Sequence, residues 1–198
     1  MFLHWGQVLM RNEVNPLDFV KLSQLMERTS GTPETVIGLI DGSVSINHPD
    51  LANEDIRHIS GEITDSLCTQ TRNSSCSHGT FVTGILSAKR GALAPAICPK
   101  CTLLLRPIFE EMSDETKIPT ASPEELAEAI FEIISAGAKL INLSLAITHS
   151  SSRSERKLEE ALDYASNRDI IIVAAAGNQG EMSGSVITRH RAVIPVVA

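Results

Sequence analysis

Apolar runs alternate with amphipathic stretches along this chain, and the alternation predicts its main elements. Short continuous apolar runs are typical of strands that are covered on both faces. Such runs occur at residues 35–40, 102–109, 138–146, 169–178 and 192–198. Helical patterns occur at residues 15–31, 78–88, 122–137 and 151–168. Strands that alternate with helices in this way predict an α/β layered fold with a mostly parallel sheet between the helices.

The helix predicted over 122–137 has the most complete set of end signals. Ser122 can cap its first turn, Pro123 suits the first helical position, and Glu125 completes a capping box. Gly137 can end the helix. By contrast, the stretch 43–77 is polar, with scattered Ser, Thr, Asn and Gly, which predicts a loop-rich surface.

Length and charge narrow the range of functions. The chain has 198 residues, which suits one domain, and its formal net charge is −7. An acidic balance argues against nucleic acid or an anionic membrane as the main partner, because both attract basic surfaces. No apolar run approaches the roughly 20 residues that span a bilayer, and the first residues lack the features of a signal peptide. We therefore expect a cytoplasmic protein that binds neither nucleic acid nor membrane.

Four cysteines are compatible with several chemical states. They are Cys68, Cys76, Cys98 and Cys101, and the last two form the sequence CPKC. One possibility is that all four are reduced thiols around a loop. A second possibility is two disulfides, which a reducing cytosol disfavours. The spacings C-x7-C and C-x2-C would also suit the ligands of one zinc ion. Spacing alone does not decide connectivity, so all three states stay open at this stage.

Three polar residues stand where catalytic groups occur in parallel α/β folds. Asp41 and Asn178 follow apolar runs, and His78 opens a predicted helix. Residues just beyond the carboxyl ends of parallel strands share one rim of the sheet. Taken singly, such residues are most often turn or capping residues. Together they meet the needs of acyl transfer by an activated serine, with His78 as base, Asp41 as its orienter and the Asn178 amide as oxyanion donor.

Four segments, in this order, resemble the subtilisin-like serine proteases (subtilases). They are VIGLIDGSVSINHPDL around Asp41, HGTFVTGILSA at His78, INLSLA at 141–146 and VAAAGNQG around Asn178. The acid segment is similar to that of bacterial subtilases from peptide-maturation clusters, including the cyanobactin proteases. The resemblance covers residues 35–198 and implies a partial subtilase (peptidase S8) domain with a subtilisin-like layered fold, incomplete at the C-terminus. Residues 1–34 would then form an N-terminal helical extension.

The resemblance implies a role for each matching residue. Asp41 corresponds to the triad acid, His78 to the base and Asn178 to the oxyanion donor. A substrate peptide or protein in extended conformation would pair with the strand formed by Ser144, Leu145 and Ala146. The floor of the pocket for the residue before the scissile bond would be Ala175, Ala176 and Gly177.

No cofactor or metal follows from the resemblance. Secreted subtilisins carry a tight calcium site on an insertion after the catalytic histidine. The link from His78 to Pro95 is short by comparison and lacks that insertion. We therefore expect no calcium there.

The nucleophile of the family is missing from these residues. Its G-T-S-x-A/S-x-P segment would follow the Asn178 strand, and no such segment occurs in the 198 residues. Ser183 and Ser185 lack the Thr-Ser and Pro context, so neither is expected to be the nucleophile. We expect the chain alone to be inactive, as a truncated protease or half of a split protease with a complementary chain. The alternatives are a pseudoprotease that binds peptides and a zinc- or redox-responsive protein that uses the cysteines.

Overall fold

The computed structural model describes residues 16–59, 68, 74–109, 121–145, 152–176 and 185–197. Their strands are β1 Val36–Asp41, β2 Ile56–His58, β3 Thr102–Pro107, β4 Leu140–Leu143, β5 Ile171–Ala175 and β6 Val193–Val196. Their helices are α1 Pro16–Phe19, α2 Leu22–Arg28, α3 Ser74–Ser87, α4 Pro123–Ser135, α5 Ser152–Ser166 and α6 Val186–Arg189. The strands form one sheet in the order β2-β3-β1-β4-β5-β6, and every pairing is parallel. The predicted α/β fold with a parallel sheet is therefore confirmed.

The sheet separates two apolar layers, because successive side chains of a strand point to opposite faces. Ile37 and Leu39 of β1 enter a layer that also contains Ala88, which directly follows α3. Ile40 enters the other and larger layer, where α4 and α5 cover the sheet. Burial on both faces explains why the central strands β1 and β3 have continuous apolar runs rather than alternating ones.

The local end signals of α4 act as the sequence predicts. Ser122 caps the helix, and its Oγ accepts a hydrogen bond of 3.1 Å from the Glu125 backbone N–H. Pro123 is the first helical residue, and Gly137 follows the helix with a left-handed φ of +103°. In the part of the chain that the structure describes, no helix is both long and apolar enough to cross a bilayer.

The single helix predicted over 15–31 is wrong. The described part of this segment contains two short helices, α1 and α2, with a turn between them. Lys21 has a left-handed φ of 58°, and its N–H donates to the Asp18 carbonyl over 3.0 Å. No residue of α2 is buried. Short helices without a packed face are marginal in water, so end signals alone do not maintain a continuous helix here.

Two elements and one helix start were not predicted. The edge strand β2, which has only three residues, lies in the stretch expected to be loop. Helix α3 begins at Ser74 rather than at position 78, so His78 lies in its second turn. Helix α6 was not foreseen, and Ser185 is its cap: the Ser185 Oγ accepts from the Thr188 N–H over 3.3 Å. This capping role accounts for Ser185 without any nucleophilic function.

Candidate active site

Asp41 lies at the centre of the carboxyl edge of the sheet. It is the last residue of β1, which pairs with β3 on one side and β4 on the other. After β1 the chain builds β2 and β3 on one side and then crosses to build β4, β5 and β6 on the other. Such reversals leave a crevice beyond the strand ends, where α/β proteins place their functional groups. The Asp41 side chain is 1% exposed.

Two glycines allow α3 to approach this strand end closely. A Cβ on Gly42 would lie 2.2 Å from the Ser75 carbonyl oxygen, a separation that real Cβ atoms do not show. A Cβ on Gly79 would lie 2.6 Å from the carbonyl oxygens of both Gly42 and Ser43. The backbones of α3 and of the loop after β1 are therefore in direct contact. This contact brings the second turn of α3 to the end of β1.

A hydrogen bond fixes the same approach from the side. The Ser45 N–H, in the loop after β1, donates to the Thr80 Oγ of α3 over 2.9 Å. Thr80 follows Gly79 directly, so both the glycine contact and this bond act on the same turn of the helix. The orientation of His78, which precedes Gly79, is set by these neighbours.

His78 and Asp41 form a hydrogen-bonded pair. The His78 Nδ1 lies 2.7 Å from the Asp41 Oδ1, which also accepts a 2.7 Å bond from the Gly42 N–H. The Asp41 Oδ2 is buried and has no hydrogen-bond partner among the described residues. An ionised carboxylate only accepts, so Nδ1 must carry the proton between the two groups. The neutral ring then has its basic lone pair on Nε2.

The two residues of the pair differ in exposure, and Asp41 changes the pKa of the His78 imidazole. The His78 side chain is 50% exposed, whereas the carboxylate is buried. The pKa of His78 is raised above its usual value, mainly by the hydrogen bond to Asp41 and also by its charge, although burial opposes the shift. Asp41 thus stabilises the imidazolium, which is the form that a general base acquires when it removes a proton.

The predicted substrate-binding residues lie on the two neighbouring strand ends as far as they are described. Ser144 and Leu145 directly follow β4, and the Ser144 Oγ accepts a 2.7 Å bond from the Asn142 side-chain amide. Ala175 ends β5, and the N–H of the following Ala176 donates to the Val196 carbonyl over 2.8 Å. Because β4 and β5 pair in parallel, both segments lie at the edge that carries Asp41. The other three predicted residues, Ala146, Gly177 and Asn178, fall outside the described residues.

A cavity next to the pair was missed by the sequence analysis. Its volume is about 320 Å³, and its lining residues are Ser45, His48, Cys76, Ser77, Thr80 and Phe81. The first two come from the loop after β1, and the others come from α3 on either side of His78. No local pattern could predict it, because its walls come from two separate segments that the contact at Gly42 and Gly79 and the Ser45–Thr80 hydrogen bond bring together.

The cysteines combine two of the states that the sequence left open. Cys68 and Cys76 form a disulfide, with their Cα atoms 5.6 Å apart, whereas Cys98 and Cys101 are free thiols. Cys76 lies in α3, two residues before His78. A zinc site of four thiolates is incompatible with this disulfide. Across the described ranges, no group of three or more His, Cys, Asp or Glu side chains is arranged to hold a metal ion.

The sequence of this chain is similar to those of known serine proteases. The profile of the Subtilase family (Peptidase_S8) matches residues 32–195. A thermophilic serine proteinase of Bacillus sp. strain AK1 is 30% identical over 173 residues, which cover 86% of this chain and 39% of that protein. Thermitase of Thermoactinomyces vulgaris is 31% identical over 146 residues, covering 73% and 47%. The chain thus spans less than half the length of these relatives.

Several solved protease structures also have folds similar to that of this chain. The protease domain of PatA, solved as its S218A mutant, has a TM-score of 0.72 and 26% identity, covering 86% of this chain and 59% of the other. The prenylagaramide maturation protease PagA has a TM-score of 0.71 and 26% identity, covering 88% and 57%. The PatG macrocyclase in complex with peptide shares the fold, with a TM-score of 0.70 at 16% identity.

Proposed function

Because the chain belongs to the subtilase family of serine proteases, we propose that it carries the acid and base of an Asp-His-Ser triad that hydrolyses peptide bonds. The observation that carries this proposal is the 2.7 Å bond between the His78 Nδ1 and the Asp41 Oδ1. The bond lies at the carboxyl edge of a parallel sheet, with the acid buried and the imidazole half exposed. This is the arrangement that a general base and its orienting carboxylate require.

In the proposed reaction, His78 accepts a proton and then releases it in each of two stages, acylation and deacylation. Its Nε2 takes the proton from the serine hydroxyl while the serine oxygen bonds to the substrate carbonyl carbon. The imidazolium, stabilised by Asp41, then gives the proton to the leaving amine as the C–N bond breaks. Water attacks the acyl-enzyme by the same exchange and restores the serine. The Asn178 side-chain amide is proposed to donate to the oxyanion of each tetrahedral intermediate, an assignment that rests on its sequence motif.

An extended peptide is the proposed substrate. It would pair with the backbone of Ser144, Leu145 and Ala146, while Ala175, Ala176 and Gly177 form the pocket floor. The placement of Ser144 and Ala175 on adjacent strand ends supports this assignment. Edge pairing gives affinity that tolerates many sequences, and pockets add specificity. PagA is a maturation protease, so we extend the proposal to a precursor peptide as the natural substrate.

The nucleophile is proposed to come from outside these 198 residues, either on the same polypeptide or on a complementary chain. An apolar strip on β5 and β6 supports this, because Ile171, Ile194 and Val196 are each about half exposed, at 47%, 53% and 52%. Side chains of this kind at a sheet surface are typical of an interface with further protein. We propose that the segment with the serine covers this strip.

Labelling with a fluorophosphonate, which reacts with activated serines, tests the proposal. The isolated 198-residue chain is expected to stay unlabelled. The protein with its serine segment supplied, as the downstream sequence or as a second chain, is expected to label at that serine. Heat-denatured protein is the control for nonspecific reaction. Labelling of a serine within the 198 residues would overturn the missing nucleophile, and no labelling of the folded, completed protein would overturn the protease function.

A further inference from the structure

The CPKC sequence forms a tight turn before the central strand β3. The Cys101 N–H donates to the Cys98 carbonyl over 2.9 Å, which closes the turn. Pro99 holds the second position, where its fixed φ suits such turns. The turn therefore places two cysteines three residues apart on one side of the chain, immediately before β3.

The two cysteine side chains lie close to the same backbone position, Gly31. Gly31 lies over both: a Cβ there would be 2.3 Å from the Cys101 Sγ and 3.3 Å from the Cys98 Cβ. Cys101 is only 3% exposed, whereas Cys98 is partly exposed. Cys98 is thus the thiol that a small reagent reaches first.

The turn is anchored to the segment that precedes β1. The Lys100 N–H donates to the Ser30 carbonyl over 2.9 Å. The Arg90 guanidinium donates to the carbonyls of Met26, Thr29 and Ile97. These bonds hold the turn on both sides, so the two thiols are kept together without any covalent link.

We propose that Cys98 and Cys101 are a redox-active dithiol that closes to an intramolecular disulfide by exchange with a small disulfide such as oxidised glutathione. The Cys98 thiolate attacks one sulfur of the small disulfide, whose S–S bond breaks and releases one thiol. The Cys101 thiolate then attacks the Cys98 sulfur and releases the second thiol. The protons of the two cysteines end on the two released thiols, and two electrons pass from the cysteines to the small disulfide.

The surroundings of Cys98 slow its reaction with a disulfide at neutral pH. Burial and the neighbouring Cys101 raise the pKa of Cys98 to about 12, and the Arg90 guanidinium opposes this shift. The thiolate is the reactive form, so exchange at neutral pH is slow and needs an excess of oxidant. The turn precedes β3, and Asp41 pairs with the other end of that strand. The proposal is therefore independent of the catalytic assignment.

Trypsin digestion provides a sharp test, because Lys100 separates the two cysteines. The folded 198-residue chain is incubated with excess oxidised glutathione, quenched with acid, alkylated in guanidinium chloride and digested. Cleavage after Arg90 and Lys100 yields peptides 91–100 and 101–117, since trypsin does not cleave before Pro107. We expect mass spectrometry to find these two peptides joined by a disulfide after oxidation. After reduction both should be separate and alkylated.

The same digest contains an internal reference and its controls. The Cys68–Cys76 disulfide joins peptides 58–72 and 73–89, so it should be detected before any oxidant is added. Cys101→Ser should trap a glutathione adduct on Cys98, whereas Cys98→Ser should leave the buried Cys101 unmodified. Two alkylated peptides after prolonged oxidation would overturn the proposal. A persistent glutathione adduct on Cys98 of the unmutated chain would do so as well.

Discussion

Replacing Asp41 by asparagine is expected to lower kcat about 10⁴-fold in the protein that carries its serine segment, and His78→Ala about 10⁶-fold. The asparagine amide would offer a donor where Nδ1–H needs an acceptor, so the ring would take the wrong tautomer. Alanine removes the base itself, without which the serine remains a weak nucleophile. Steady-state hydrolysis of a peptide substrate measures both losses.

A nearby carboxylate provides the matched control for this prediction. Asp50 lies on the loop after β1, and its Oδ2 is 4.0 Å from the His48 Nδ1. The Asp50 side chain is 39% exposed. Asp50→Asn removes the same charge without touching the pair, so kcat should change by less than about twofold, as exposed ion pairs contribute little. An Asp41→Asn enzyme within tenfold of the parent would contradict the proposed role of the acid.

Gly79→Ala is expected to destabilise the chain by about 1–3 kcal/mol, because the added Cβ meets two backbone carbonyl oxygens. Backbone atoms cannot move aside as a flexible side chain would, so α3 must shift away from the end of β1. The same helix offers the matched control, Gly84→Ala, whose Cβ would make an ordinary contact of 3.4 Å with the Ala94 Cβ. Alanine favours helix by up to about 1 kcal/mol over glycine.

Urea unfolding of the two variants separates the effects. Gly79→Ala should lower the midpoint, and Gly84→Ala should leave it unchanged or raise it. Equal midpoints would show that the approach of α3 to the loop after β1 is looser than the structure indicates. The positioning of His78 by Gly42 and Gly79 would then have to be abandoned.

The elements that the sequence predicts well are those with local causes. Helix α4 has its cap, its proline and its terminal glycine within one stretch, so the pattern suffices. Strand β2 has three residues and exists through its pairing with β3, which no local signal encodes. The break at Lys21 has a different cause: local signals favour a helix there, but α2 lacks the buried face that would stabilise a longer one.

The candidate site shows the same division. Asp41 and His78 were identified from their local context, an acid after an apolar strand and a histidine in a helix rich in small residues. Their distance could not be predicted, because it depends on backbone contact between segments 37 residues apart. The cavity beside the pair depends on the same contact. The proposed roles of Ala146, Gly177 and Asn178 stay predictions from sequence motifs.

The spacing of the cysteines did not decide their chemical state. Four cysteines allow three arrangements of two disulfides, but the structure contains a single disulfide, Cys68–Cys76, together with two free thiols. The cytoplasmic location stays a prediction, and the Cys68–Cys76 disulfide is a bond that a reducing cytosol disfavours. The division of the chain at residues 34 and 35 also stays a prediction, and the family profile begins at residue 32.

The raised pKa of His78 has a defined consequence for pH dependence. A histidine whose folded pKa exceeds its unfolded value contributes stability that is fully present below the unfolded pKa. That contribution disappears as the pH rises through the folded pKa. Catalysis has the opposite dependence, because the base must be neutral: activity of the completed enzyme should rise as the pH passes the raised pKa of His78.

An NMR titration of the imidazole nitrogens in the 198-residue chain tests the pairing of Asp41 and His78 most directly. The pKa of His78 should lie above the usual histidine value in the unmutated chain. It should fall in Asp41→Asn, because the charge and the acceptor that raise it are lost. In the control Asp50→Asn the His78 pKa should stay raised. An identical His78 pKa in the unmutated chain and in Asp41→Asn would contradict the acid–base pair on which the proposed function rests.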